Sequence, residues 1–177
     1  MRKIVYYVAS SLDGFISKPG DDISGYVGEG NGVEKYLNDL TTFDTVIMGK
    51  NTYEFGYKYG LKPGDAPYKN MDHYIFSETL KFETKAPNVF VCKRDIEIIK
   101  RLKSEKGSDI YLCGGGMFAG WLLDHKQIDI LKIKLNPIIA GQGTKLFGKS
   151  VSPLATELVD SGRYDHGLQI MTYKVLY

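Results

Sequence analysis

Three consecutive glycines between an apolar strand and an apolar helix constrain this chain more than any other stretch. Residues 110–113 have the composition of a buried strand, and residues 117–123 that of a helix. Gly114, Gly115 and Gly116 lack Cβ atoms, so a ligand could approach the backbone closely. The helix start also offers unpaired N–H groups and a partial positive charge, which favour a phosphate. A tight strand-to-helix turn without a ligand is the alternative.

Strand and helix patterns alternate along most of the chain. Apolar, β-rich runs predict further strands at 4–9, 44–49, 73–77 and 88–92, and apolar residues at helical spacing predict helices at 33–42 and 95–106. This alternation predicts an α/β fold, a doubly wound and mostly parallel central sheet with helices on both faces. Partial alternation predicts another strand at 128–135, and residues 157–164 and 168–176 predict a C-terminal antiparallel hairpin. The length predicts a single domain over residues 1–177.

The predicted strands end in residues suited to binding a ligand. Four such residues follow directly on a strand or close it: Asp13, Gly49, Ser77 and Gly114. Ligands of doubly wound sheets bind outside the carboxyl ends of the strands, so we expect these residues around one site. Lys50 stands beside the start of a helix that Asn51 or Thr52 could cap, where an anion is favoured. A solvated surface charge is the alternative for Lys50.

Residues 17–32 form a long segment without periodicity, rich in Gly and Asp. It begins near the ligand end of the first strand, and long loops inside compact domains are commonly functional. We therefore predict a mobile flap over the substrate side. A disordered surface loop is the alternative.

Composition excludes several classes of partner. The formal net charge of +2, with no basic run, argues against nucleic acid. No apolar stretch is long enough to span a membrane. The three histidines, His73, His125 and His166, lack metal-ligand spacing, so no metal site is predicted. Cys92 and Cys113 are far apart and predict free thiols, as expected of a cytoplasmic protein.

Five motifs in order resemble those of the dihydrofolate reductase-like superfamily. They are Ser-Leu-Asp-Gly-Phe-Ile (11–16), Val-Ile-Met-Gly-Lys-Asn-Thr-Tyr-Glu (46–54), Phe-Ser-Glu-Thr (76–79), Cys-Gly-Gly-Gly (113–116) and Asn-Pro-Ile-Ile-Ala-Gly-Gln-Gly-Thr-Lys-Leu-Phe (136–147). The most similar branch is the reductase domain of the riboflavin-biosynthesis deaminase-reductase and its stand-alone relatives. The zinc deaminase half, with its His-x-Glu and Pro-Cys-x-x-Cys pattern, is absent from the chain. The resemblance implies a dihydrofolate reductase-like fold and the reductase activity alone.

The resemblance also implies an NADPH site. Glu78 stands where a basic residue is often found, so NADH remains an alternative cofactor. The relatives have a cis peptide at the position of Gly114 and Gly115, and we expect one here. The residues implied to contact the cofactor are Ala9 at the nicotinamide, Gly49, Lys50 and Thr52 at the phosphates, Ser77 and Thr79 at the 2′-phosphate, Gly114, Gly115 and Gly116 at the pyrophosphate, and Met117 beside them.

The resemblance implies hydride transfer to a small heterocyclic or ribosylamino substrate, as in riboflavin biosynthesis. The proton would come from Asp13, Glu34 or a water, and the sequence does not choose among them. Two alternatives are a nucleotide-binding protein without catalysis and a dihydrofolate reductase. A dihydrofolate reductase requires a carboxylate on the first helix. Counting back from residues 46–49 places that position at Val33, and a shift of one residue places it at Glu34. The family and the strand at 128–135 also predict a homodimer.

Overall fold

A computed structural model describes all 177 residues. The strands are β1 (Ile4–Ser10), β2 (Phe15–Ser17), β3 (Thr45–Gly49), β4 (Asp72–Phe76), β5 (Val89–Cys92), β6 (Ile110–Gly114), β7 (Ile130–Leu135), β8 (Thr144–Lys145), β9 (Ala155–Arg163) and β10 (Gln169–Leu176). The helices are α1 (Asn31–Leu40), α2 (Lys50–Phe55), α3 (Ile96–Ser104) and α4 (Gly116–Asp124). None of them has the length and apolar character needed to span a bilayer.

Eight strands form one sheet in the order β5-β4-β3-β6-β1-β7-β10-β9. The first six are mutually parallel, and β10 and β9 continue the sheet antiparallel as the C-terminal hairpin. The chain moves from β1 past β6 to β3 and onward to β5, and later returns from β6 past β1 to β7. The direction therefore reverses around β3, β6 and β1, which makes their carboxyl ends the expected binding crevice.

Apolar side chains bury both faces of this sheet, because successive residues of a strand point to opposite sides. On β1, Ile4 and Tyr6 pack into a cluster with residues of α3 and α4. The alternate residues Val5 and Tyr7 belong to a second cluster that includes Leu40 of α1. Helices thus cover both faces, which confirms the predicted doubly wound α/β architecture.

Several boundaries differ from the sequence-based prediction. The helix α2 begins at Lys50 with Gly49 as its N-cap and no side-chain cap, so the prediction of a cap at Asn51 or Thr52 is wrong. The helix α4 begins one residue early, at Gly116. In both places the strand passes almost directly into the helix, and at the second junction Gly114 has a positive φ that favours glycine.

The structure contains a small second sheet that was not predicted from the sequence. Strands β2 and β8 pair antiparallel and join the segment after β1 to the glycine-rich segment after β7. At three and two residues they are too short for a periodic pattern to be recognised. Asp13 strengthens this connection, because its carboxylate accepts hydrogen bonds from the amides of Ala140 (2.9 Å) and Gly141 (2.7 Å).

The predicted flap at 17–32 is not structureless. It contains a 3₁₀ turn at Pro19–Asp21, and it ends where α1 starts. The Tyr26 hydroxyl donates to the carbonyl oxygen of Phe15 (2.7 Å), and the amide of Val27 donates to Asn136 Oδ1 (2.8 Å). The segment is therefore attached at several points, and its mobility stays a prediction.

The strand that suggested a homodimer lies inside the sheet. Both edges of β7 are paired, one with β1 and the other with β10. All of its residues are buried or half-buried, so it offers no exposed edge or face for a partner. The homodimer stays a prediction that rests on the family resemblance alone.

Candidate active site

A cavity of about 610 Å³ opens at the carboxyl ends of β1, β3 and β6. Slightly more than half of its lining residues are hydrophobic, 15 of 28, which is typical of a site for a small organic molecule. Seven residues implied as cofactor contacts line it: Ala9, Gly49, Lys50, Thr52, Gly115, Gly116 and Met117. The structure thus brings together residues that lie more than a hundred positions apart in sequence.

The glycines at the β6–α4 junction have different physical roles. Gly114 has φ +131, a conformation that other residues adopt only with strain, and its peptide bond to Gly115 is cis, as expected. A Cβ on Gly115 would meet one atom, the Oγ1 of Thr52, at 2.9 Å. A Cβ on Gly116 would overlap the carbonyl oxygen of Lys145. Gly116 is therefore required by close packing of the chain on itself, whereas Gly115 leaves space beside the cavity.

The start of α4 presents free donors at this edge. Gly115 is the N-cap, without a side-chain cap, and its carbonyl oxygen accepts from the amides of Phe118 (3.0 Å) and Ala119 (2.9 Å). The amides of Gly116 and Met117 have no acceptor within the protein. Since both residues line the cavity, these N–H groups and the positive end of the helix dipole could bind an anion there.

Cationic side chains outnumber acidic ones in the cavity wall. Lys50, Arg94 and Lys134 line it, against a single carboxylate, that of Asp21. Lys50 Nζ lies 3.7 Å from a carboxylate oxygen of Glu54, so the charge of Lys50 is partly balanced. Arg94 was not singled out from the sequence, although its place just after β5 is the kind of strand end that the sequence reasoning used elsewhere. The excess of positive charge favours an anionic ligand.

Ser77 and Thr79, implied contacts of the 2′-phosphate, do not line the cavity. The Ser77 hydroxyl accepts hydrogen bonds from the amides of Thr79 (3.1 Å) and Leu80 (3.0 Å) and so stabilises its own turn. Glu78, between them, accepts from the amide of Arg94 (3.2 Å) and holds this turn next to that residue. The cavity-lining cation near this turn is therefore Arg94.

The candidate proton donors Asp13 and Glu34 also lie outside the cavity lining. Hydrogen bonds from the Ser11 hydroxyl and the amides of Ala140 and Gly141 lower the pKa of the Asp13 carboxyl to about 2. A carboxyl with this pKa is ionised at neutral pH and has no proton to donate. Glu34 is exposed on the first turn of α1. The geometry supports a structural role for Asp13 and assigns no contact with a cavity ligand to Glu34.

A cluster of polar aromatic residues forms one wall of the cavity and was missed in the sequence. The hydroxyls of Tyr36 and Tyr111 are hydrogen-bonded (2.7 Å), and the Tyr68 hydroxyl lies 3.3 Å from Cys113 Sγ. Burial raises the pKa of the Tyr36 and Tyr111 hydroxyls and of the Cys113 thiol, so all remain protonated at neutral pH. These residues belong to α1, β6 and the loop before β4, and only the fold brings them together.

Lys134 on β7 is the other group that sequence reasoning missed. Its Nζ lies 3.6 Å from the centroid of the Tyr36 ring, in the cavity. Burial lowers the pKa of Lys134 to about 8. In the sequence, Lys134 belongs to a partly alternating strand and resembles a solvent-facing lysine. Its place just before the carboxyl end of that strand was the signal that could have identified it.

No group of three or more His, Cys, Asp or Glu side chains is arranged to hold a metal ion. Both cysteines are free thiols, as predicted.

Comparison with known proteins assigns the family. Residues 2–170 match the family model described as the RibD C-terminal domain. The chain belongs to this family. One relative is the uncharacterized protein YwjB of Bacillus subtilis (strain 168). It is 31% identical to this chain over 170 residues, which cover 96% of each protein. Membership in the RibD C-terminal domain family supports a reductase function.

Solved structures confirm the dihydrofolate reductase-like fold. A putative riboflavin biosynthesis protein from Shewanella sp. PV-4 superposes over 100% of both chains, with a TM-score of 0.80 and 25% identity. A diaminohydroxyphosphoribosylaminopyrimidine deaminase/5-amino-6-(5-phosphoribosylamino)uracil reductase from Thermotoga maritima matches 99% of this chain and 57% of its own, with a TM-score of 0.70 and 19% identity. Dihydrofolate reductase from Enterococcus faecalis, complexed with NADP(H) and RAB-propyl, matches 99% of this chain and 97% of its own, with a TM-score of 0.67 and 16% identity.

Proposed function

We propose that this RibD C-terminal domain is an NADPH-dependent reductase of a small heterocyclic or ribosylamino substrate. The observation that carries the proposal is the anion-binding edge of the cavity, where the free amides of Gly116 and Met117 lie beside backbone exposed at Gly115. A dinucleotide pyrophosphate suits such an edge, because amides and the helix dipole balance its charge. When bound, the nicotinamide supplies hydride, and the protein contributes binding and orientation.

Arg94 is our candidate for the group that selects NADPH over NADH. It lines the cavity beside the turn that resembles the 2′-phosphate site, and Glu78 fixes its backbone there. An arginine fits a phosphate with paired, charge-assisted hydrogen bonds. We expect Arg94→Gln to weaken the binding of NADPH about tenfold, on the order of 1.4 kcal/mol, and to leave the binding of NADH unchanged. Equal losses of affinity for NADPH and NADH would show that Arg94 does not contact the 2′-phosphate.

The substrate is best sought with a panel of acceptors. NADPH oxidation would be followed at its near-ultraviolet absorbance with 5-amino-6-(5-phosphoribosylamino)uracil, a pterin and a quinone. The first compound is included because the Thermotoga maritima protein is described as its reductase. Binding of NADPH would be measured separately, by fluorescence titration. If the folded protein does not bind NADPH at millimolar concentration, the cofactor assignment is wrong.

The same panel tests the two alternatives. Binding of NADPH without its oxidation by any acceptor would favour a nucleotide-binding protein. A dihydrofolate reductase needs a carboxylate facing the pterin, and Glu34 is exposed outside the cavity. We therefore expect no binding of methotrexate-class inhibitors and no reduction of dihydrofolate.

Two further expectations stay predictions. The free cysteines suit a cytoplasmic protein, and the family resemblance suits a homodimer. Light scattering tests the homodimer, since a monomer at micromolar concentration would contradict it.

A further inference from the structure

The cavity contains a lysine whose charge nothing in the protein balances. Lys134 Nζ makes no hydrogen bond and no ion pair, and its contact is with the face of the Tyr36 ring. A largely buried cation loses solvation, and this loss is normally compensated by an acidic partner. A cation–π contact offsets only part of it.

None of the groups packed around Lys134 forms an ion pair with it. On its own strand, Lys132 is paired with Asp39 (2.6 Å), and Asp39 does not line the cavity. The adjacent strand β1 contributes Tyr7, the next strand β6 contributes Cys113, and helix α1 contributes Tyr36, all of them neutral at physiological pH. The remaining ionisable groups that line the cavity are Lys50, Tyr53, Tyr68, Arg94, Tyr111 and Asp21, whose carboxylate is exposed on the flap.

Lys134 also lies beside the expected reaction centre. It pairs in register with Ala9 of the parallel strand β1, and paired residues of parallel strands project from the same face of a sheet. Both line the cavity, and Ala9 is the position that the family resemblance places at the nicotinamide. The amine therefore faces the space that a substrate next to the nicotinamide would occupy.

We propose that Lys134 binds the acceptor atom of the substrate and donates a proton to it during reduction. This inference rests on the proposed reductase function. Addition of hydride to a C=O or C=N carbon forms a C–H bond and moves the π electrons onto the oxygen or nitrogen. That atom takes a proton from the Lys134 ammonium, and the nicotinamide is left oxidised. The neutral amine regains its proton from water at the cavity mouth.

The inference also defines the substrate class. An ammonium favours an acceptor group that gains negative charge in the transition state, such as a carbonyl or imine of a neutral or anionic molecule. It disfavours a protonated heterocycle of the pterin type, because two cations would face each other in a pocket of low dielectric. The pKa of Lys134, about 8, leaves the ammonium predominant at neutral pH and makes its proton easier to give up than that of an exposed lysine.

Three variants separate the roles of charge and proton. Lys134→Met removes both, Lys134→Arg keeps the charge but does not release its proton near neutral pH, and Lys174→Met removes one exposed lysine as a control. With an acceptor that the wild type reduces, we expect Lys134→Met to lower kcat at least a hundredfold. Lys134→Arg should lower kcat similarly while KM changes less than threefold. NADPH affinity should stay within twofold in all three.

The pH profile gives a readout that a structural role would not move. Because the ammonium is the active form, kcat of the wild type should fall as pH rises through about 8, and this alkaline limb should be absent in both Lys134 variants. The pKa itself is measured without turnover, by NMR of protein labelled with ¹³C at lysine Cε, with the resonance assigned by its loss in Lys134→Met. A midpoint near 8 supports the inference, and a midpoint of 10 or above overturns it.

The outcomes also separate this inference from the function on which it rests. If none of the acceptors in the panel supports oxidation of NADPH by the wild type, the proposed function fails and the inference fails with it. If the wild type turns over and Lys134→Met is equally active, the inference alone fails. We expect the melting temperature of Lys134→Met to be unchanged or higher, because an uncompensated buried charge has been removed. A lower melting temperature together with lost activity would indicate a structural role and overturn the inference.

Discussion

The substitution Gly115→Val tests the proposed cofactor site where a missing side chain leaves space beside the cavity. A valine fits the local backbone, since φ −93 and ψ −169 are extended values open to any residue. Its Cβ would meet the Thr52 Oγ1 at 2.9 Å, and that hydroxyl can rotate away. We therefore expect the free energy of unfolding to fall by about 1 kcal/mol or less.

The effect on binding should be much larger than the effect on stability. The two γ-carbons of the valine would stand beside the free amides of Gly116 and Met117, where the pyrophosphate is proposed to lie. Loss of one charge-assisted hydrogen bond costs about 1.5–3 kcal/mol. We expect the Kd for NADPH to rise at least tenfold, which corresponds to about 1.4 kcal/mol.

The assay is a calorimetric or fluorescence titration with NADPH, with circular dichroism to confirm folding. Gly28→Val is the matched control, because Gly28 lies outside the cavity lining and a Cβ there meets nothing within 4 Å. Unchanged affinity in a folded Gly115→Val protein would refute the reasoning and move the phosphate away from this junction.

Three further substitutions test the structure around the site. Gly116→Ala should destabilise the protein by about 3 kcal/mol in urea denaturation, because the new Cβ overlaps the carbonyl oxygen of Lys145; a loss below about 1 kcal/mol would contradict this close packing. Asp13→Asn should leave kcat unchanged and lower the melting temperature at neutral pH. Since the pKa of Asp13 is lowered in the folded protein, to about 2, its stabilising effect is complete above the unfolded value near 4 and disappears as pH falls through 2, so wild type and variant should converge there. Tyr53→Phe should lower the free energy of unfolding by about 1–3 kcal/mol, because the buried amide of Gly64 loses its acceptor at 2.9 Å, and an unchanged midpoint in urea would show that water replaces it.

The sequence was most informative where local pattern and packing agree. The strand at 110–114 is apolar throughout because both of its faces are buried, and this run is visible without a structure. The glycines that follow this strand are also visible in the sequence, since three consecutive residues without side chains are unusual next to a core. The fold and the glycine-lined edge of the cavity could therefore be predicted together.

The substrate side of the cavity could not be predicted in the same way. Lys134 resembles a surface lysine until the partner strands are known, because the sequence does not show that β10 and β1 enclose β7. The environment of Asp13 could not be predicted either. Its place after a strand suggested chemistry, whereas its acceptors are filled by amides 127 and 128 residues away. Contacts over such distances depend on tertiary structure, which short-range periodicity does not contain.

The pairing of β2 with β8 has a consequence for engineering this protein. The segment at 144–148 pairs with β2 and also packs against Gly116 at the start of α4. An exchange of the loop after β1 between family members, intended to change the accepted substrate, would leave behind its partner strand and the amides that donate hydrogen bonds to Asp13. A graft that transfers residues 11–17 together with residues 138–148 keeps both halves of this connection matched. The unit of exchange is thus two segments distant in the gene, which a mutagenesis library built from single loops would never sample.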